Sequence, residues 1–281
     1  MKNISLLVFL LIPALLFAFY LRDFKNPNRV IVDPATDYIY VSNVNGAPVA
    51  RDDNGFISRI TPDFKVVTLH FLDGALNDYE LDAPKGMAIK DGILYVADID
   101  TIRGYDLKKR INVQNINLAP YGAKYLVDLV FTRRGELLVS DAAANAIFQV
   151  TLGKGIIVSK FLHSPLLKGP TGLAVLPDGR LVIVSSRGSN IWEYKKGGKF
   201  HRLLEKRTYY RYLEDVDYDK YGNLYFTDFS TGRIFRLDKN GRVSTFPGTF
   251  FSPRGITIDR KNNKMFVVEF SLDRVDVIDL E

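Results

Sequence analysis

One phrase recurs six times along this chain of 281 residues: a turn, a short apolar strand, a polar turn, an apolar strand that ends in an acid, and a third strand. Successive copies begin 57, 42, 44, 43 and 40 residues apart, and the long first interval contains an insertion around residues 44–54. The copies begin at Asn28, Lys85, Val127, Thr171, Glu214 and Arg254. A period of about 40 residues indicates a repeat architecture in which each copy is one structural unit.

Each copy has room for four short strands with turn residues between them. Asp91-Gly92, Asp178-Gly179 and Asn240-Gly241 supply the positive φ that tight hairpins need. Beyond the N-terminal segment, no stretch of 12 or more residues has the 3.6-residue period of a helix. We therefore predict an all-β fold, a six-bladed β-propeller with four-stranded blades, whose ring closes radially.

The last copy provides only three strands, in residues 255–259, 264–270 and 274–280. Its fourth, outer strand must come from another part of the chain, because an unpaired edge strand invites association with other chains. The segment Phe19 to Phe24 precedes the first copy and is free to pair there. We predict that this N-terminal strand closes the ring.

The first 18 residues have the layout of a secretory signal. Lys2 precedes an apolar run from Ile4 to Tyr20 that contains no charge, and cleavage after Ala18 would leave residues 19–281 as the propeller. The alternative is an uncleaved anchor, since about 17 apolar residues is the lower limit for spanning a bilayer. We expect an exported protein, periplasmic or secreted, that contacts a membrane only if residues 4–20 remain as an anchor.

The composition excludes several classes of protein. Cysteine is absent, so no disulfide, thiolate zinc site or cysteine nucleophile exists. Ser185 and Ser186 lack the G-x-S-x-G turn of a serine hydrolase. A net charge of +6 without clustering gives no nucleic-acid signature, and we expect no nucleic-acid partner and a monomer.

Most of the second strands end in an acid, and we interpret this position as structural. A short polar side chain there can bond the backbone of a neighbouring turn. The residues are Asn43, Asp98, Asp141, Ser185, Asp228 and Glu269, of which Ser185 departs from the pattern.

The positions that open the first strands differ in chemistry from copy to copy, which makes them candidates for function. In a propeller they surround a central channel, and the residue after each of them adds Arg29, Asp128 and Asp215. The ligand-binding candidates are Asn28, Lys85, Asp128, Thr171, Asp215 and Arg254, and the metal candidates are Glu214 and Asp128. Converging carboxylates can hold a divalent cation or perform acid–base chemistry, but salt bridges with the basic residues of the channel are an equal alternative.

The repeats resemble the blades of the regucalcin/gluconolactonase (senescence marker protein) family and of its NHL-repeat relatives. The phrases PTGLAVLPDG, YGNLYFTD and APKGMAI carry this similarity, which spans Asn28 to Leu280. The resemblance implies a divalent metal in the channel, calcium, zinc or manganese. At the places where that family has Glu, Asn and Asp ligands, this chain has Asn28, Thr171 and Glu214, and Asp128 remains from an Asn-Asp pair.

Two functions follow from these observations. The first is an exported propeller that binds a small ligand, a metal or a partner protein at its central channel. The second is a metal-dependent hydrolase of a lactone or related ester, in which the metal polarises the carbonyl and activates water. The fold alone cannot choose between them, because propellers carry many functions on one scaffold.

Overall fold

The computed structural model describes residues 18–76, 80–195, 197, 200–204 and 210–280, and within them the chain forms 24 strands in six four-stranded sheets. The strands are β1 (Ala18–Leu21), β2 (Pro27–Val32), β3 (Ile39–Asn43), β4 (Phe56–Ile60), β5 (Val67–Asp73), β6 (Pro84–Lys90), β7 (Ile93–Asp98), β8 (Thr101–Asp106), β9 (Ile111–Asn117), β10 (Leu126–Phe131), β11 (Leu137–Asp141), β12 (Ala146–Thr151), β13 (Ile157–His163), β14 (Pro170–Val175), β15 (Leu181–Ser185), β16 (Asn190–Tyr194), β17 (His201–Leu204), β18 (Leu213–Tyr218), β19 (Leu224–Asp228), β20 (Arg233–Leu237), β21 (Val243–Thr245), β22 (Pro253–Asp259), β23 (Lys264–Glu269) and β24 (Arg274–Asp279). Three short 3₁₀ helices connect them: Ala119–Tyr121, Pro165–Leu167 and Phe270–Leu272. The predicted six-bladed β-propeller is confirmed.

Each sheet is one blade, and its strands follow one another in chain order from the channel outwards. Blade 1 is β2 to β5, blade 2 is β6 to β9, blade 3 is β10 to β13, blade 4 is β14 to β17 and blade 5 is β18 to β21. The inner strands of neighbouring blades contact each other around the whole ring. The core is divided accordingly, because each of the six interfaces between neighbouring blades contains one large cluster of buried apolar side chains.

Blade 6 is built from both ends of the described chain. Its order is β22, β23, β24 and then β1, and β1 runs antiparallel to β24 with Phe19 opposite Val277 and Leu21 opposite Val275. The chain then turns inwards through Phe24, which is fully buried in the interface between blades 6 and 1. The predicted closure of the ring by the N-terminal strand is therefore confirmed.

A β-bulge interrupts every inner strand directly after it begins. The register shifts between Pro27 and Arg29 in blade 1, and a corresponding shift occurs at the start of the five other inner strands. Bulges re-aim side chains and are frequent beside functional sites. The six residues that open the sequence repeats, Asn28 among them, each stand second in their inner strand.

The acids at the ends of the second strands are buried and structural, as predicted. Asp228 accepts hydrogen bonds from the amides of Arg211 and Tyr212, at 2.6 and 3.2 Å, and from two amides of the turn that follows. Asp98, Asp141 and Glu269 also accept from amides just before their own blade's inner strand. Their main role is to fix the segment that leads into the inner strand, in addition to the predicted turn.

The predicted signal segment falls almost entirely on residues 1–17, which lie outside the described residues. Ala18, after which we expect cleavage, is the first residue of β1 and lies opposite Ile278. Among the described segments, none forms a helix with the length and hydrophobicity that a membrane span needs.

Candidate functional site

The candidate site is the end of the central channel at which the six inner strands begin, which we call the mouth. The opening residues of the repeats stand there at equivalent positions, one per blade. Asn28, Lys85, Thr171 and Glu214 are 6% exposed or less, and Arg254 is half-buried. The structure therefore brings the predicted residues together, but their side chains differ in what they are free to do.

Directly below the mouth, Arg29 extends across the channel and closes it. Its Nε lies 3.3 Å from Asp215 Oδ2 and 3.8 Å from Asp128 Oδ1. Its Nη2 donates to the carbonyl of Glu214 at 3.0 Å, and its Nη1 donates to the carbonyl of Arg254 at 3.3 Å. This set, Arg29 with Asp128 and Asp215, is the axial cluster.

The axial cluster holds two carboxylates for one guanidinium, and the pKa values reflect that excess. Burial raises the pKa of Asp215 well above its usual value, Arg29 opposes this, and the nearby charge of Asp128 adds to it. Burial alone would lower the pKa of Arg29, but Asp215, Asp128 and Glu214 hold it above its usual value. Arg29 is therefore permanently charged, and the salt bridges that we left open as an alternative are present.

Tyr125 lies among the charged residues of the mouth. Burial raises the pKa of its phenol, and that pKa also responds to the charges of Arg254, Glu214 and Arg29. Lys85 Nζ lies 4.8 Å from the centre of the Tyr125 ring and donates to the carbonyl of Ala83 at 2.9 Å. Four ionisable side chains of the mouth thus lie within electrostatic reach of one phenol.

Lys85 is a buried amine whose pKa is lowered. Burial lowers the pKa of Lys85 to about 8, with Asp98 opposing the shift and Arg254 reinforcing it. A lysine with a pKa near 8 is partly neutral at physiological pH, as amines that act in acid–base chemistry are. The mouth thus contains one amine that loses its proton more readily than an ordinary lysine.

Glu214 and Arg254 offer their charged groups to the mouth. Among the described residues, the Glu214 carboxylate has no hydrogen-bond or ion-pair partner; the residue as a whole is 6% exposed, and its carboxylate oxygens reach the solvent of the mouth. The Arg254 guanidinium lies over the rings of Phe270 and Phe229, at 4.4 and 5.1 Å, and its buried Nε has no hydrogen-bond partner. A buried nitrogen is normally hydrogen-bonded, so the Arg254 guanidinium requires an explanation, and the Glu214 carboxylate is free to accept a donor from solution.

Thr171 and Asn28 are less available than their positions suggest. The single hydrogen of Thr171 Oγ1 is directed at the carbonyls of Leu213 and Val184, at 3.0 and 3.2 Å. Asn28 Oδ1 lies 3.5 Å from Arg29 Nη1. These contacts tie both residues to the scaffold of the ring.

The sequence analysis missed Tyr125 and Tyr212, which stand one position before the inner strands of blades 3 and 5. Tyr212 is 39% exposed and its ring contacts that of Phe229 beside Arg254. The six residues at this position are Asn26, Ala83, Tyr125, Gly169, Tyr212 and Ser252. They diverge as strongly as the residues that open the repeats, so the same criterion applied two residues earlier would have found the two tyrosines.

The residues of the channel do not fit the divalent metal that the resemblance implies. Asp128 Oδ2 and Asp215 Oδ2 accept the amides of Leu173 and Ile256, both at 2.8 Å, and Arg29 lies between the carboxylates. Within the described residues, no three His, Asp or Glu side chains lie close enough together to hold a metal. A metal role for Asp128 with Glu214 stays a prediction without support from the donor set.

The axial cluster separates the mouth from a second space at the other end of the channel. This cavity has a volume of about 530 Å³, and the axial cluster forms its inner end. Its wall combines apolar side chains, such as Val32, Met87 and Phe131, with charged ones, such as Asp217, Arg260 and Lys261. A molecule bound at the mouth therefore does not reach this cavity.

Comparison with known proteins gives one match in sequence and several in fold. No family model matches the chain. Over 168 residues, 56% of this chain, the sequence is 26% identical to Lactonase drp35 of Staphylococcus epidermidis, and the same stretch exists in a second strain. The match takes in 51% of the lactonase, so the chain spans about half the length of the curated relatives it matches.

Two solved structures illustrate the shared fold. A gluconolactonase of Xanthomonas campestris has a TM-score of 0.71 and 15% identity, over 95% of this chain and 90% of the other. Virginiamycin B lyase of Staphylococcus aureus has a TM-score of 0.69 and 16% identity, over 95% of this chain and 100% of the lyase. At these identities the likeness concerns the fold alone.

The ring of six blades around a polar, closed channel defines the class of this protein as a six-bladed propeller with a candidate site at one channel mouth. The partial sequence match to a lactonase and the fold shared with a gluconolactonase structure confirm the resemblance that the repeats predicted. The NHL relationship stays a prediction.

Proposed function

We propose that this propeller binds a small polar molecule at its mouth, with Glu214 and Arg254 as the recognising groups. The observation that carries the proposal is a pair of charged groups that face the mouth without a hydrogen-bond partner among the described residues: the Glu214 carboxylate, whose oxygens reach solvent, and the buried Arg254 Nε. Leaving a buried polar atom unpaired costs free energy. A partner that arrives from solution would satisfy both groups.

The two charged groups determine the chemistry of the ligand. Glu214 accepts hydrogen bonds, and Arg254 can only donate them. A fitting molecule therefore carries a hydroxyl or amine donor and, separately, a carbonyl or carboxylate acceptor. The rings of Phe229 and Phe270 hold the Arg254 guanidinium from one side and orient its free edge, which reduces the entropy lost on binding.

A second candidate, hydrolysis of a lactone or related ester, uses the same residues. The partial match to Lactonase drp35 favours it, as does the proximity of a carboxylate, a guanidinium and a phenol at one mouth. In such a hydrolase, Glu214 takes a proton from the attacking water, and Arg254 stabilises the negative charge that develops on the carbonyl oxygen of the lactone. The metal-dependent form of this activity requires a cation that the donor set does not fit.

The test measures stability and binding in the same variants. Because the Glu214 carboxylate has no hydrogen-bond or ion-pair partner among the described residues, Glu214→Gln is expected to change the melting temperature by no more than about 2 °C. It should also abolish any stabilisation of the protein by D-glucono-1,5-lactone, a probe with both hydroxyl donors and a carbonyl acceptor. Arg254→Met should weaken the affinity for the lactone at least about tenfold.

Matched controls and outcomes separate the two candidates. Glu136→Gln and Arg133→Met lie at the opposite end of the ring and should leave the response to the lactone unchanged. Release of acid from the lactone by the wild type, lost in Glu214→Gln, selects the hydrolase, whereas binding without acid release selects the recognition protein. A melting temperature lowered by more than about 2 °C in Glu214→Gln would identify the carboxylate as structural and overturn the proposal.

We also propose that the chain is exported. The support comes from Lys2 and the uncharged run from Ile4 to Tyr20. Since Ala18 lies at the end of β1 distant from the mouth, an uncleaved anchor would hold the mouth away from the membrane. Mass spectrometry of the purified native protein tests this: a chain beginning at Phe19 supports cleavage, and an intact Met1 in a soluble fraction contradicts export.

A further inference from the structure

The residues that follow the strand-opening positions alternate strictly around the ring. In chain order they are Arg29, Gly86, Asp128, Gly172, Asp215 and Gly255. The odd blades have a charged side chain, and the even blades have glycine. Each glycine lies against the next charged residue: a Cβ on Gly86 would come within 2.4 Å of the Asp128 Cα, and one on Gly172 within 2.6 Å of the Asp215 Cα.

The backbone around the three charged positions is built in the same way. The amides of Arg29, Asp128 and Asp215 each donate to a hydroxyl of the second strand, at 2.9–3.0 Å. Each hydroxyl in turn donates to a carbonyl at the start of the next blade's inner strand. The hydroxyl residues are Ser42, Ser140 and Thr227. The channel is thus a threefold repeat of two-blade units.

Two of the three units complete this pattern with a carboxylate. Asp128 accepts the amide of Leu173 in blade 4, and Asp215 accepts the amide of Ile256 in blade 6, both at 2.8 Å. The third unit has Arg29 where the pattern calls for an acceptor. A guanidinium cannot accept hydrogen bonds, so Arg29 instead extends to the carboxylates of the two other units.

We propose that Arg29 is a built-in cation that replaces a divalent metal at the axis of this channel. Two buried carboxylates that face one axis need a positive charge, and either a metal or a guanidinium can supply it. Here Arg29 is also tied to the carbonyls of Glu214 and Arg254, so it is anchored on both sides. Binding or catalysis at the mouth is therefore independent of divalent metals, and a single exchange, Arg29→Asp, converts the axis into a site with three carboxylates.

The experiment titrates metal alone, so its result is separate from that of the lactone test. Calcium, zinc and manganese are added individually to the wild type, to Arg29→Asp and to Arg29→Asp combined with Asp128→Asn. The wild type should show neither binding heat nor a shift of the melting temperature. Arg29→Asp should melt lower without metal and recover by at least about 5 °C with at least one of the three cations, at one ion per chain. The double variant should lose that recovery.

Two results would overturn the proposal: stoichiometric binding by the wild type that Asp128→Asn abolishes, or a folded Arg29→Asp variant that responds to none of the metals. If Arg29→Asp does not fold, a stability cycle of Arg29→Met, Asp215→Asn and their combination decides instead. Removing one partner of a buried ion pair should lower the melting temperature of Arg29→Met by about 6–20 °C, and adding Asp215→Asn should restore at least half of that loss. An additive further loss would show that Arg29 does not compensate the carboxylates, and would refute the proposal.

Discussion

Replacing Phe24 by alanine tests how strongly the N-terminal strand closes the ring. Phe24 lies three residues after the end of β1, is fully buried, and packs in the interface between blades 6 and 1 with Val30, Val41 and Val275 among others. It thereby links the strand that completes the last blade to the inner strand of the first. The substitution removes this link while leaving the backbone pairing of β1 with β24 intact.

The size of the effect follows from the burial of the ring. A fully buried phenylalanine truncated to alanine costs about 3–5 kcal/mol, because the transfer free energy is lost and a cavity remains. For a chain of this size, each kcal/mol lowers the melting temperature by about 2–4 °C, which gives a loss of about 6–20 °C. Phe251 is 53% exposed, so Phe251→Ala should change stability by no more than about 0.5 kcal/mol.

Thermal denaturation followed by circular dichroism compares the two variants with the wild type, and size-exclusion chromatography detects association through a freed edge of β24. Deletion of residues 19–25 should have a larger effect than Phe24→Ala, because it also removes the outer strand. The reasoning would be refuted if Phe24→Ala melted within about 2 °C of the wild type, since the buried contacts of Phe24 would then contribute nothing to closure.

Two further predictions concern the channel and the closing blade. Gly172→Ala should destabilise the protein by about 1–3 kcal/mol in chemical denaturation, because the new Cβ would lie 2.6 Å from the Cα of Asp215. The control Gly155→Ala should be neutral, because a Cβ at Gly155 would have no atom within 4 Å. Equal stability of the two variants would contradict the close packing at the axis. Burial, with proximity to Glu269 as a second cause, raises the pKa of Asp276 to about 7. The folded state therefore binds the Asp276 proton more tightly than the unfolded state does. The stability that this proton contributes is fully present below about pH 4 and is lost as the pH rises to about 7. Asp276→Asn should therefore flatten the pH dependence of the unfolding free energy across that interval, and an unchanged slope would argue against the shifted pKa.

The sequence predicted the ring well because the relevant signals are local. Turn dipeptides, alternating polarity and a constant period place each strand without knowledge of its neighbours. The count of three strands in the last copy then required a fourth, and the segment containing Phe19 was the one left to provide it. The structure agrees in both respects.

The site was predicted as a set of equivalent positions but not as a set of contacts. Equivalence follows from the repeat, whereas the contact of Arg29 with Asp128 and Asp215 joins residues that are 99 and 186 positions apart. Charge alone could not reveal that the guanidinium would occupy the place of a cation. The role of Thr171 was also hidden, because its hydroxyl is consumed by a carbonyl of the next blade, which no local pattern specifies.

The alternation of glycine and charged residues around the axis determines which pieces of this ring could be exchanged. A blade moved by one place would set two bulky residues against each other at one interface and two glycines at another, leaving a clash and a void. A pair of adjacent blades moved by two places would keep every close contact and every hydroxyl-mediated bridge in register. Although the sequence repeats every 40 residues or so, the interchangeable module of this propeller is twice that length, and recombination between related rings would conserve function only at every second blade boundary.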